Sequence, residues 1–477
     1  EALEAFREST KTDPEFMMGY WGEAMAHNHP LWGEQDIAAA RSVVAKIKET
    51  PKLSARERAY LGAVRLLYGE GDKRARDAAY SAAMEKIYTE YGDDLDAAAF
   101  YSLSLLGLVR AEEKSYRLQA RAGAIALDVY QKNPNHPGAA HYIIHAFDDP
   151  EHAIIALPAA RRYADIAPAA HHARHMPAHI FLQLGMWPEA AASNESAWEV
   201  SDAWMKRKNL SPSVRDYHSL HWLLYVYLQQ GRYHKAEELL SLMKKTMSET
   251  TYENKLRPGY YENNYANMAA AFIVETERWD LASTLFPATQ ATAATGGAMG
   301  SHSHSGGSTT TDATLRTSDR GPRLPLFVRG LASAWKGSQT TGSASEGASI
   351  GELEVFAVAA ATKGNHEQAG KLMKQAVEHE EQMGPPSGPP GLIKPAHELF
   401  GELLLRAGKA EEAAAQFRAS LLRQPNRARS LLGAARAAAK LGDRVAAEAT
   451  YQKLLAQWQQ ADAELPELKE ARDYLKQ

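Results

Sequence analysis

Two stretches near the C-terminus carry one pattern, and that pattern limits the fold more than any other feature. From Glu398 to Asn426 the chain reads ELFGELLLRAGKAEEAAAQFRASLLRQPN, and from Ser430 to Trp458 it reads SLLGAARAAAKLGDRVAAEATYQKLLAQW. Each opens with an aliphatic segment and breaks at a glycine, Gly408 or Gly442. Each then passes through small residues (Ala413 and Ala414; Ala446) to an aromatic, Phe417 or Tyr451. Apolar residues at helical spacing on both sides of a glycine specify two helices joined by a tight turn. A unit of this kind cannot bury its apolar faces alone, so copies must stack on one another.

Weaker copies occur at LQLGMWPEAAASNESAWEV, LYVYLQQGRYHKAEELLSLM, ETERWDLASTLF and AATKGNHEQAGKLMKQAV. The N-terminal third is expected to be helical too, over Glu1–Lys11, Phe16–Asn28, Gln35–Glu49, Ser54–Tyr68, Lys73–Tyr91, Asp94–Arg110 and Glu113–Gln131. Few segments alternate with period two, so strands are not expected. The pattern resembles the tetratricopeptide repeat, in which small residues let two antiparallel helices approach and an aromatic packs on the neighbour. That resemblance implies an all-α fold, a right-handed superhelical solenoid of about nine or ten repeats. The segments DPEFMMGYWGEAMAHNHPLW, HPGAAHYIIHA, HMPAHIFLQLG, KPAHELFGELLL and QPNRARSLLGAARAA also resemble a bacterial group of tetratricopeptide-repeat proteins with a histidine-rich central segment. Its members are often exported. The resemblance implies fold and compartment and carries no activity.

Four segments follow: N-terminal repeats over 1–134, histidine-rich central repeats over 135–288, low-complexity expanded loops with one helix over 289–350, and C-terminal repeats over 351–477. The third is rich in Ala, Gly, Ser and Thr, with RLPLFVRGLASAW as its helix; His302 and His304 there are read as incidental. A Pro-rich loop, MGPPSGPPGLIKPAHELFGE, feeds a helix starting near Pro395.

Composition removes several classes. The net charge of −4 gives no reason to expect nucleic acid or an anionic membrane as partner. No apolar run approaches the roughly 20 residues that span a bilayer. The absence of cysteine excludes disulfides, thiolate metal sites and cysteine nucleophiles. The opening EALEAFRESTKTDPEF reads as the second helix of a pair whose first is missing, so upstream residues, a signal peptide among them, are expected to have been removed. A periplasmic or extracellular location is expected on that reading, a cytoplasmic one being the alternative. There is no phosphate loop, no Gly-x-Ser-x-Gly, no HExxH and no dinucleotide fingerprint.

What distinguishes the chain from a generic repeat array is histidine. Eight of its 18 histidines lie between His136 and His179. His141 with His145, and His175 with His179, are spaced i, i+4, which puts both rings of each pair on one helix face. The pairs lie thirty-four residues apart, a repeat period, so stacking first helices would bring four imidazoles together. A turn-anchored alignment disputes this register. It pairs His141 with His179, leaves His145 opposite Gln183, and sets His172 and His175 against His218 and His221. Pro177 complicates the second pair, because a helix there is expected to begin near Met176 with His175 just ahead. Both registers gather histidines on three consecutive first helices. His141, His145, His175, His179, His218 and His221 are therefore the candidate metal ligands. The alternative is that they line a groove or bond between helices without metal. His171 and His172 read as an exposed helix lead-in, and His152 as part of a helix cap.

Nitrogen ligation without sulfur suits copper, with zinc or iron as alternatives. Glu23 and His27 share a helix face, and Tyr20, Trp21, Tyr142, Tyr217, Trp222, Tyr260 and Tyr261 are aromatics for the same groove or for repeat cores. Lys394, His397 and Glu398 either close one end of the groove around a charged partner or form a capped helix with an ion pair contributing about 0.3–0.5 kcal/mol. Two functions follow from different classes. One is a metalloprotein, with a groove-held copper ion for metal handling or as a copper-dependent oxidoreductase. The other is a metal-free scaffold binding a protein or peptide in its groove. Self-association through exposed repeat ends is a further expectation.

Overall fold

The computed structural model describes residues 2–110, 115–252, 258–287, 323–338, 344, 347–384, 386, 388–389 and 392–476. Of the low-complexity segment expected over 289–350, residues 289–322, with His302 and His304, lie outside the described residues. The described chain divides into two compact units. The first holds the residues up to Asp148 with Ile155–Ile166, and the second holds Asp149–Ile154 and the described residues from Ala167 on.

The first unit contains α1 (Ala2–Thr12), α2 (Met17–Met25), α3 (Ile37–Val44), α4 (Ala55–Leu67), α5 (Lys73–Glu90), α6 (Leu95–Leu106), α7 (Arg117–Lys132), α8 (Pro137–Ala146) and most of α9 (Ala153–Ile166). Its helix starts are chemically marked. Ser54 and Glu57 form a reciprocal capping box on α4, and Asp36, Asp72 and Asp94 accept backbone N–H groups at the starts of α3, α5 and α6. A short hairpin corrects the expectation of no strands: Asn28 pairs with Gln35 and His29 with Glu34, antiparallel. It also shortens the flanking helices relative to the sequence reading, because Pro30 ends one and its turn occupies the start of the next.

The second unit contains α10 (His171–His175), α11 (Pro177–Gln183), α12 (Trp187–Lys208), α13 (Tyr217–Gln229), α14 (Tyr233–Glu249), α15 (Tyr260–Thr276), α16 (Ala282–Leu285), α17 (Arg323–Trp335), α18 (Ile350–Thr362), α19 (His366–Gln382), α20 (Ala396–Arg406), α21 (Ala410–Arg423), α22 (Ala428–Lys440), α23 (Arg444–Gln457) and α24 (Pro466–Tyr474). Successive helices pack on one another, closely in the C-terminal pairs α20 with α21 and α22 with α23, whose connecting turns are three residues long. The expected repeat chemistry is visible at Phe417, which is wholly buried. A Cβ added at Gly401 or Gly433 would lie 2.8 or 2.2 Å from its ring, so glycine on the two flanking helices makes room for it.

The second unit departs from a one-dimensional repeat stack in one respect. Its C-terminal repeats return onto the corners of its first helices. The Trp187 indole donates to the Asn426 carbonyl at 2.9 Å, the Trp458 indole donates to the Gln229 carbonyl at 3.0 Å, and the Asp462 amide donates to the Gly231 carbonyl at 3.0 Å. Gly185 sits at one of these contacts with φ +64°, and a Cβ there would lie 2.5 Å from the Pro425 carbonyl oxygen. Gly185→Ala is therefore expected to destabilise the unit by more than the ~1 kcal/mol typical of a left-handed position, since a fixed backbone atom also has to move. Urea unfolding of the two chains in parallel checks this.

Candidate metal centre

The helix carrying the second histidine pair is broken by Pro177. It appears as α10, a helical Met176 (φ −53°, ψ −35°) and α11 with Pro177 in its first turn. His175, expected just ahead of a helix starting near Met176, is instead the last residue of α10, and Pro177, in the first turn of α11, costs no backbone bond there. His175 and His179 therefore still share a face. Their Nε2 atoms lie 3.2 Å apart, and His175 is 1% exposed.

The orientation of His175 is set from α12. Asn194 donates its amide N–H to the Ala190 carbonyl at 2.8 Å, which turns its Oδ1 toward His175 Nδ1 at 2.7 Å. An oxygen acceptor there requires Nδ1 to carry the proton, so Nε2 presents its lone pair toward His179. Outer hydrogen bonds of this kind orient histidines that bind metals.

The third ring comes from α13. Asp216 caps that helix by accepting the Ser219 amide, which sets His218 at the second position of its first turn. The His218 ring centre lies 4.6 Å from that of His175. One ring nitrogen from each of His175, His179 and His218 falls within 4.8 Å of the others. Metal–nitrogen bonds of about 2.0–2.1 Å place ligand atoms about 3.3–3.6 Å apart, within reach of small side-chain rotations. One turn further along α13, Trp222 is 4.3 Å from His179, 4.9 Å from His175 and 5.6 Å from His218, centre to centre.

Burial favours the neutral form of His172, His175, His218 and His221. It pushes His175 down to about 3, aided by His179, and His221 down to about 4. His172 is pushed down to about 3 by burial and by His175, and His218 well below its usual value by the same two causes. Asp216 behaves oppositely to a simple buried acid. Burial would raise its carboxyl, but the 3.0 Å bond to His171 and the neighbouring imidazoles hold it below the usual range, and it raises His171 in turn. His171 opens α10 with its side chain 41% exposed, a helix lead-in as expected from sequence, and it is in addition the ion-pair partner of the α13 cap.

His141 and His145 belong to the first unit. Their Nε2 atoms lie 3.0 Å apart, and Tyr163 stacks on His141 at 5.4 Å. Tyr142 beside them is raised to about 12 by burial. His152 donates to Asp149, which also accepts the backbone N–H groups of Glu151 and His152, so Asp149 is the cap at that corner. His221 lies on α13 three residues beyond His218 and lines a water-sized cavity of about 10 Å³ with Tyr225, Asn267 and Glu275.

The groove candidates are placed differently from the expectation. Tyr217 is wholly buried, its hydroxyl donating to the Pro212 carbonyl at 2.8 Å, so it packs the repeat rather than lining an open groove. Glu23 is buried against Arg7 at 2.7 Å, and the nearby His27 has its Nε2 buried without a hydrogen bond among the described residues. Lys394, His397 and Glu398 form neither an open clamp nor a surface ion pair. Lys394 reaches Glu398 at 2.9 Å and Glu402 at 2.8 Å, all in the interior, and His397 bonds Gln416 at 2.8 Å. Glu398 accepts from Arg427 at 2.7 and 3.0 Å and from Ser430 at 2.6 Å. Arg427, with no exposed surface, continues to Glu275 and to the Tyr225 hydroxyl at 3.0 Å. Sequence reasoning missed Asn194, Asp216, Glu275 and Arg427. Only Asp216 had a local signal, an Asp immediately before a helical run.

The fold and these clusters define the chain as an all-α helical-repeat protein of the tetratricopeptide type. No family model and no curated protein matches it. Among solved structures it is similar to a human IFIT1 dimer with m7Gppp-AAAA, at 12% identity and a TM-score of 0.37, over 92% of this chain and 86% of that one. It is also similar to yeast Tom70, at 10% identity and a TM-score of 0.26, over 99% of this chain and 84% of that one. A third likeness is to Naa15/Naa10 bound to HypK-THB, at 12% identity and a TM-score of 0.27, over 100% of this chain and 61% of that one. Likeness at this level carries no argument about function.

Proposed function

We propose that the chain is a repeat scaffold carrying a transition-metal centre, with His175, His179 and His218 as ligands and copper as the metal. The observation that carries this reading is the hydrogen bond from His175 to Asn194. Asn194, itself fixed by Ala190, holds His175 in the tautomer that offers Nε2 to the other two rings. Imidazole-only ligation suits copper or zinc better than iron, which usually takes a carboxylate as well. His221 and His172 surround the trio. His141 and His145, in the first unit, remain a separate candidate pair. A role in metal handling, in a periplasmic or extracellular setting and within the bacterial histidine-rich repeat group, is the reading these features support best.

Metal analysis of tag-free protein tests it. About one copper ion per chain is expected. His175→Ala and His218→Ala should each remove most of that copper, while the Asn194→Ala chain should retain its fold but bind about 10–100-fold more weakly. Protein free of any transition metal, and unable to take one up, would overturn the reading.

A second reading is favoured by a different observation in the second unit. A cavity of about 410 Å³, bordered by Arg406, Arg429, Arg436 and Lys440 with Glu277 and Glu402, has the size of a ligand site. A peptide or protein segment bound there would do so independently of metal. Binding that survives His175→Ala and fails in Arg406→Ala separates the two readings.

A further inference from the structure

One face of α22 carries a cationic stripe. Arg429, Leu432, Arg436 and Lys440 recur at spacings of three or four residues, which aligns them along the helix. The C-terminal end of α20 contributes Glu402, Leu405 and Arg406. These two faces, with Glu277 and Tyr451, border the cavity of about 410 Å³. Several of its charges are matched by protein groups. Arg429 pairs with Glu277 at 2.6 Å and with Glu402 at 3.3 Å, and Glu402 also takes the buried Lys394 at 2.8 Å. Arg436 is held by Glu470 at 2.8 Å. Arg406 and Lys440 are different, since neither meets a carboxylate among the described residues. The Arg406 guanidinium lies over the Trp335 indole, 4.1 Å from its centre, and Lys440 donates to the Leu405 carbonyl at 3.1 Å. Stacking uses the flat face of a guanidinium and leaves its N–H edge for an acceptor.

We propose that this cavity binds a small organic dianion, a dicarboxylate or a phosphate monoester, with Arg406 and Lys440 supplying its two counter-charges. This goes beyond the second reading above: it rests on the cavity being a ligand site and replaces the peptide by a small anion. Charge is the first argument, because a dianion gives each of the two unmatched cations a partner. Hydrogen-bond sense is the second. Arginine and lysine only donate. Among the described residues the wall has no Ser, Thr, Asn or Gln. Its acids Glu277 and Glu402 are already bound by Arg429, and the Tyr451 hydroxyl donates to Glu470 at 2.8 Å. A peptide brings an N–H donor with almost every residue and needs acceptors that this wall has committed elsewhere. Carboxylate and phosphate oxygens only accept, and a guanidinium edge matches either of them with paired bonds. Size is the third argument, since the cavity falls within the about 300–1,000 Å³ of small-molecule sites. Leu405, Leu432 and Ala439 provide apolar wall for the carbon skeleton between the charges.

The test titrates the full chain calorimetrically with four probes: succinate, glycerol 3-phosphate, butyrate, in which a methyl replaces one succinate carboxylate, and a hexaglutamate peptide. At least one dianion is expected to bind once per chain, about tenfold or more tighter than butyrate, and to weaken as salt rises. The tighter of the two dianions tells carboxylate from phosphate. Arg406→Gln and Lys440→Gln should each weaken that binding about tenfold or more. Both side chains are exposed, so the fold should survive, which circular dichroism checks. His175→Ala should leave the binding unchanged. No binding of either dianion, butyrate binding as tightly, or unchanged affinity in a folded Arg406 or Lys440 variant would overturn the inference. Hexaglutamate binding that requires Arg406, without binding of either dianion, would overturn it and leave the second reading standing. Failure of all four probes would overturn both.

Discussion

Replacing Arg427 with alanine is expected to cost about 3–5 kcal/mol of stability, the loss typical when one member of a buried charge cluster is removed. The size follows from what is left behind. Arg427 has no exposed surface and supplies two hydrogen bonds to Glu398, one to Tyr225 and one to Glu275. Glu398 is itself fully buried, and its carboxyl is held far below the usual range against the opposing effect of burial, chiefly by Arg427 and then Lys394. Without the guanidinium, Glu398 keeps Lys394 and Ser430, but Glu275 loses its cation. Burial already raises the Glu275 carboxyl, so it is expected to take up a proton, and Tyr225 is left with a buried hydroxyl. Arg427→Lys should recover little, because an ammonium cannot form the fork that serves both oxygens of Glu398. A triple replacement of Arg427, Glu398 and Glu275 by apolar residues of similar volume should recover much of the loss, since the cluster as a whole is stabilising only against its broken forms. Denaturant unfolding followed by circular dichroism reads all three chains. A loss below about 1 kcal/mol for Arg427→Ala would show that the C-terminal repeats do not dock on α13 and α15 in solution.

The same cluster shows where the sequence is legible and where it is not. Helices and turns are local, and periodicity with Gly408, Gly442, Phe417 and Tyr451 marked them correctly, down to the placement of Pro177 between two ligand candidates. Lys394 does pair with Glu398, four residues on, although it lies ahead of the first residue of α20, so the pair is made by the lead-in to the helix and not along its face. The environment of the pair was not legible. Nothing in HELFGE says that Arg427 arrives from 29 residues downstream, or that Arg427 in turn reaches Glu275, 152 residues before it. The expectation of a solvent pair failed because repeats were assumed to touch only their sequence neighbours. The histidines show a smaller version of the same limit. Consecutive first helices do meet, but His175 lies beside His218, whereas the turn-anchored register set it against His221. The shift is about one helical turn. The broken helix at Met176 and the long α12 between the two first helices make turn-to-turn alignment inexact. Asn194 orients His175 and Trp222 packs against all three rings, through contacts between helices that spacing along one helix does not encode.

Acidification from pH 7.5 to 5 should destabilise the metal-free chain by about 2 kcal/mol for each imidazole the fold keeps neutral, counting down from an unfolded value of about 6.5. His175 and His221 are the clearest contributors, pushed down to about 3 and about 4 by burial. Their folded values lie below the unfolded one, so the unfolded chain binds more protons throughout the window between. Stability is then complete above about pH 7, falls at up to about 1.4 kcal/mol per pH unit per group as pH drops below 6.5, and levels only near the folded values. The other charged groups around the cluster do not cancel this slope. His171 is raised by Asp216, so its contribution is already complete below its unfolded value and is lost only on the alkaline side. Asp216 is lowered, and its contribution falls away only below the range of an ordinary aspartate, outside the window. Stability from urea midpoints at pH 7.5, 6.5, 5.5 and 5.0 should fall slightly over the first interval, by about 0.3–0.4 kcal/mol per group, and much more steeply over the rest. His175→Gln, an uncharged ring replacement that keeps an acceptor for the neighbouring rings, should flatten the acid limb by about one proton's worth. With copper bound the fall should steepen, because protons then also compete with the metal for the ring nitrogens. A midpoint that does not move between pH 7 and 5 would mean the rings are solvated, and the cluster could not then hold an ion in a water-excluded site.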